Sequence, residues 1–134
     1  MSAKFLKIST DKAPSAVGPY VQGLEPVNPG KPVFLSGQIP INPKTGKIDA
    51  DDIETQTRQV LDNIEAVLAE AQLKLEDIIH MRVYLENMGD FATFNSIYAE
   101  RFGDHKPTRE TIQVAKLPLG AKIEMVPLAW RESL

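Results

Sequence analysis

The sequence predicts an α+β fold, a mixed β-sheet with two helices packed on one face. Three observations carry this. Residues 51–71 place apolar side chains at helical spacing on one side only, which leaves one face to bury and one to show water. A second stripe of the same period, Phe91, Phe94, Ile97, Tyr98 and Phe102, runs through 91–102. Around both lie short β-branched and aromatic stretches bounded by Gly, Pro, Asn and Asp, in the order short strands, helix, strand, helix, strand, strand.

The first fifty residues are rich in Pro and Gly, yet apolar residues keep recurring between these breakers. They therefore read as short strands joined by turns. The clearest strand is "VFLSGQI", 33–39, followed by the turn "NPKTG", 42–46. In the first helix Ile53, Val60, Leu61, Ile64, Val67, Leu68 and Ala71 share a face, while Glu54, Arg58, Asp62 and Glu65 turn away. Asp51 or Asp52 supplies the N-cap. "IIHMRVYLENM", 78–88, reads as a buried strand, Asp90 caps the second helix and Gly103 ends it. Strands at about 109–116 and 121–129 flank the turn "KLPLG". As a hairpin they would set Gln113 opposite Glu124 and Arg109 about 13 Å further along the same face. One helical layer leaves the other sheet face uncovered. Because 78–85 is apolar on both sides, a second copy of the chain is the expected cover.

At 134 residues the chain is expected to form one domain, 1–134, with a core that needs no staples. It contains no cysteine, which removes disulfides, thiolate metal sites and cysteine nucleophiles. The net charge of −3 and the lack of a Lys/Arg cluster weigh against nucleic acid as a partner. Without a signal-type apolar segment or a membrane-length run, a cytoplasmic location is expected. His80, in an apolar strand, reads as a structural or interface residue, and His105, in "GDHKP", as facing solvent. Two isolated histidines make no metal motif, and there is no phosphate loop or nucleophile elbow. Trp130 reads as packing.

Two residues raise chemistry. Alternation through "TRETIQV" puts Arg109, Thr111 and Gln113 on one face, and Thr108, Glu110 and Ile112 on the other. A guanidinium beside a threonine on a sheet suits a carboxylate ligand, or an ordinary ion pair at an edge or interface. Glu124, between Ile123 and Met125, either pairs with Lys122 on a wet surface or orients a water. The distance along the strands means that a site using both would draw them more easily from different subunits.

The chain resembles the Rid family, also called the YjgF/YER057c/UK114 family, and within it the imine deaminase branch. The resemblance rests on "APSAVGPYVQG" (13–23), "VFLSGQIPINPKTGKI" (33–48), "QTRQVLDNIEAVLAEAQ" (56–72), "FATFNSIYAERF" (91–102) and "KPTRETIQVAKLPLGAKIEM" (106–125). It implies a chorismate-mutase-like fold in homotrimers with clefts between subunits. It also implies hydrolysis of enamines and imines such as 2-aminoacrylate or 2-iminopropanoate to a 2-keto acid and ammonia, with no cofactor. By position, Arg109 would hold the substrate carboxylate and Glu124 the attacking water. Tyr20, Ser36 and Asn95 would line the site, and the backbone at Gly37 and Thr111 would add hydrogen bonds. The family often has a small residue where this chain has Glu110, and a cysteine where it has Thr111. Rival functions are non-enzymatic binding of small carboxylates in the same cleft and, with less support from the charge, an endoribonuclease or translation-inhibitor role.

Overall fold

The computed structural model describes residues 4–133. Strands β1 (Phe5–Ile8) and β2 (Gly23–Pro26) form a separate antiparallel pair. The main sheet has β3 (Gly30–Phe34), β4 (Ile78–Leu85), β5 (Thr108–Gln113) and β6 (Ile123–Glu132) in the order β3-β6-β4-β5. Helices α1 (Ile53–Glu70) and α2 (Phe91–Phe102) lie on one face, so the α+β expectation and the two-helix layer stand. β4 and β5 are parallel and joined through α2, while β6 runs antiparallel to both of its neighbours.

Local chemistry accounts for the helix ends. Asp52 caps α1 by accepting from the Thr55 N–H at 2.8 Å, and that bond holds its carboxyl below the usual range. Gly103, at φ +60, ends α2 in a conformation few side chains tolerate. Asp90 precedes α2 but makes no side-chain cap bond there. The preceding 3-10 turn, Met88–Asp90, is instead held by Asn87, which accepts from the Gly89 N–H.

Val60, Leu61, Ile64 and Leu68 of α1 and Phe94, Ile97, Tyr98 and Phe102 of α2 pack on Met81, Val83 and Leu85 of β4 and Ile123 and Met125 of β6. Val67, expected inside, is 43% exposed, while Gln56 is buried. Its amide is satisfied at both ends, donating to the Ala50 carbonyl and accepting from the Lys122 N–H.

The final two strands do not form a hairpin. The chain reverses at Pro118–Gly120, but β4 lies between β5 and β6. β4 is not apolar on both sides as expected: Met81, Val83 and Leu85 are buried under the helices, while His80, Arg82 and Tyr84 line the open face, and the strand takes two neighbours. The α2 crossover brings β5 to one edge in parallel, and β6 fills the other. The sheet face away from the helices carries Phe34, which is 79% exposed, together with Tyr84, Ile112, Val126 and Leu128.

β3 also stops earlier than 39. Phe34 pairs with Leu128, and pairing resumes only as an isolated bridge between Gln38 and Met125. Three residues, 35–37, therefore oppose two, 126–127, as in a bulge. Pro127 has no N–H to give a neighbouring strand, so the interruption falls where the ladder is weakest.

Candidate active site

Arg109 stands beside Met81 and Thr111 beside Val83, so both face the helix side of the sheet at its β5 edge. The guanidinium carbon lies 4.9 Å from the ring centre of Tyr98, 5.1 Å from Phe94, 5.4 Å from Tyr20 and 5.7 Å from Phe91. Four π-faces around one cation hold it electrostatically without neutralising it. Burial pulls its pKa down from the ordinary value, and its interactions with Tyr98 and Tyr20 oppose that shift. The group remains charged at any ordinary pH.

Among the described residues no carboxylate pairs with Arg109. Its neighbour Glu110 turns to the open face, where its Oε1 lies 3.3 Å from His80 Nε2 and 3.5 Å from Arg82 Nε. The acidic departure next to the arginine is thereby occupied elsewhere. Close to the cage, Arg109 Nη1, Thr111 Oγ1, Asn95 Oδ1 and the Tyr98 hydroxyl are all buried and lack a partner among the described residues. A cluster of unsatisfied polar atoms around an uncompensated cation is costly unless something else meets them.

Tyr20 arrives on a loop made from the "APSAVGPYVQG" block. Gln22 ties that loop down, donating to the Thr10 and Pro14 carbonyls and accepting from the Thr10 N–H. A Cβ added at Gly18 would sit 3.3 Å from Arg109 Nη2, so glycine lets this loop close over the guanidinium. Gln22, Gly18 and the cage role of Phe91, Phe94 and Tyr98 were missed from the sequence. The aromatics were visible there as a core stripe, and Gly18 and Gln22 as part of a block whose individual duties had no periodic signal.

Ser36, Gly37 and Glu124 lie elsewhere. Glu124 pairs with Tyr84 across β6 and β4, on the open face, so it does not share a face with Arg109 as the hairpin implied. The bulge at 35–37 brings Gly37 over it: a Cβ there would be 2.7 Å from Glu124 Oε2. Ser36 precedes Gly37 and is exposed. The candidate residues are thus divided between opposite sheet faces, with Arg109 and Thr111 on the helix side near Tyr20 and α2, which carries Asn95, and Glu124 on the open side under Gly37. Grooves of about 330 Å3 beside Lys4, Phe5 and His105 and about 400 Å3 beside Gly37, Ile39 and Val67 include neither Arg109 nor Glu124.

Both histidines are engaged by neighbouring groups. His105 is not solvent-facing as expected: it stacks on Phe5 and its Nε2 donates to the Ile78 carbonyl at 2.7 Å. Burial pushes its pKa down. His80 Nδ1 lies 2.7 Å from the Thr108 hydroxyl. Among the described residues no group of His, Asp and Glu could hold a metal ion, and no helix is long and apolar enough to cross a membrane.

Comparison with known proteins places this architecture. Residues 10–130 match the family described as Endoribonuclease L-PSP. A RutC family protein of Pyrococcus horikoshii is 47% identical over 125 residues, covering 93% of this chain and 97% of its own. The 2-iminobutanoate/2-iminopropanoate deaminase of Escherichia coli K12 is 45% identical over 127 residues, covering 92% and 96%. The crystal structure of E. coli TdcF with bound serine superimposes with a TM-score of 0.73 at 45% identity, over 95% of this chain and 99% of that one. The chain belongs to the Rid/YjgF family, whose model carries the description Endoribonuclease L-PSP.

Proposed function

We propose that this chain is an imine deaminase that hydrolyses 2-iminopropanoate-type imines and their enamine tautomers to 2-keto acids and ammonia. Residues 1–134 would act as one domain in a homotrimer, each site joining the Arg109 half of one subunit to the Glu124 half of the next. The observation that carries this is the guanidinium of Arg109, caged by four rings, charged and paired with no carboxylate of the described residues. A 2-imino acid brings the missing anion. The serine bound to TdcF has the same chemistry, a small carboxylate with nitrogen on the adjacent carbon.

The reaction follows from that placement. Arg109 takes the carboxylate in a two-pronged pair, which fixes the neighbouring iminium carbon. The Glu124 carboxylate accepts a proton from a water as its oxygen bonds to that carbon. Glu124 passes that proton to nitrogen in the resulting carbinolamine and, again a carboxylate, takes the hydroxyl proton as the C=O bond forms and the C–N bond breaks, releasing ammonia and the 2-keto acid. The iminium carbon is already electrophilic, so orientation and proton transfer suffice and the step draws on no cofactor.

An amino acid oxidase can generate the imine in the presence of semicarbazide. The protein is expected to suppress semicarbazone formation in proportion to its concentration. If it does not compete with the trap for any of several imines while still binding 2-keto acids, the chain is a carboxylate-binding protein instead. RNA cleavage finds less support: with a net charge of −3 and a lone caged guanidinium, no basic stripe is available for phosphates.

Gly37→Ala provides a local check. The new methyl meets Glu124 Oε2, the far end of a flexible side chain, so the carboxylate moves aside at small cost to the fold. Turnover should fall about ten- to a hundred-fold, because a displacement of about 1 Å spoils the attack geometry. The melting temperature should change little.

A further inference from the structure

α2 carries Tyr98 in the middle of its apolar stripe, buried with Phe94, Ile97 and Phe102. The residue is fully buried, its ring between Phe94 at 5.4 Å and Phe102 at 4.4 Å. Its hydroxyl nevertheless has no partner among the described residues. An unpaired buried hydroxyl destabilises a fold, so packing gives no reason for it.

The reason lies in what Arg109 needs once an anion is bound. Of the four rings, that of Tyr98 is nearest to the guanidinium. A guanidinium has five N–H groups, and a carboxylate held in two prongs takes two. The others need acceptors, and Nη1 is buried without one. An acidic acceptor would cancel the charge that the substrate requires, and Glu110 is turned away to His80 and Arg82. The unpartnered acceptors left in this part of the structure are neutral: the Tyr98 hydroxyl, Thr111 Oγ1 and Asn95 Oδ1. Neutral acceptors satisfy N–H groups and leave the positive charge for the ligand.

We propose that Tyr98 is a positioning residue for Arg109, its ring supporting the guanidinium and its hydroxyl accepting an N–H that the substrate carboxylate leaves unused. This rests on the carboxylate-clamp reading of Arg109. Among the described residues neither group has a partner, and the bond between them would form as the anion seats the guanidinium. Part of the binding energy is thus available only with ligand present.

Tyr98→Phe keeps the ring and removes only the oxygen. Pyruvate, a 2-keto acid, serves as probe in titration calorimetry with wild type, Tyr98→Phe, Arg109→Ala and the double variant, alongside ligand-free melting temperatures and the KM and kcat of imine hydrolysis. Tyr98→Phe is expected to weaken pyruvate binding about ten-fold and raise KM similarly. Its ligand-free melting temperature should stay level or rise, because an unpaired hydroxyl has gone. In the double variant the Tyr98 change should add no further loss to that of Arg109→Ala. If Tyr98→Phe binds pyruvate like wild type while Arg109→Ala does not, the positioning role is wrong and the clamp stands. Weaker binding accompanied by a lower melting temperature means that Tyr98 is packing alone, which also overturns the proposal. If Arg109→Ala binds as wild type does, or neither binds, the clamp itself fails and the role of Tyr98 with it.

Discussion

Arg109→Ala is expected to lower kcat/KM for imine hydrolysis by about a hundred- to ten-thousand-fold. Two charge-assisted hydrogen bonds at about 1.5–3 kcal/mol each are removed, and the substrate loses its anchor as well as its counter-charge. Arg109→Lys should recover little of this, since an ammonium is a point charge that cannot grip a carboxylate in two prongs or spread against four rings. The loss should come without unfolding. A void opens beside Phe94 and Tyr98, but a partly buried, unpaired cation also leaves, and these effects oppose one another. Far-UV circular dichroism with the semicarbazide competition assay separates the two questions. Retention of wild-type turnover in a folded Arg109→Ala protein would end the clamp role.

Glu124→Gln and Arg109→Ala subunits, each inactive alone, are expected to regain activity when unfolded and refolded together. Within one chain the two side chains occupy opposite faces of the sheet, Arg109 beside Met81 under the helices and Glu124 beside Tyr84 on the open side. If sites form between neighbours, an Arg109 half from one variant can meet a Glu124 half from the other. In a closed three-fold ring assembled at random from equal parts, one intact site forms in every mixed trimer, so about a quarter of wild-type turnover returns. Equal mixing without refolding should give less, limited by subunit exchange. No recovery in verified mixed trimers would mean that the two residues serve the same subunit or do not serve one site.

The elements with strong internal periodicity were legible in the sequence. The stripe of α1 and the cap at Asp52 follow from spacing and side-chain chemistry within a few residues, and the structure agrees at Val60, Leu61, Ile64 and Leu68. Val67 and Gln56 exchanged places because burial depends on what lies opposite. Gln56 is buried where the Ala50 carbonyl and the Lys122 N–H meet it. The hairpin between the last two strands failed for a similar reason. A turn at Pro118–Gly120 shows that the chain reverses, but not which strand edge is vacant.

The candidate site divides the same way. Alternation along "TRETIQV" separates Arg109 and Thr111 from Glu110, and the register with β4 follows that division. It does not say what each face meets, and strand periodicity carries no information about aromatics from α2 or a loop held by Gln22.

By itself the sequence determined the helices, the alternating strand faces, the absence of cysteine chemistry and, through its ordered blocks, the family. Those depend on local spacing and on side-chain types. Only the tertiary structure decided that β6 enters beside β4, that Glu110 is drawn to His80 and Arg82, and that Arg109 and Glu124 face opposite ways. Strand order and the pairing of distant charges are settled by competition among edges and partners far apart in the chain, and no window of sequence contains both competitors.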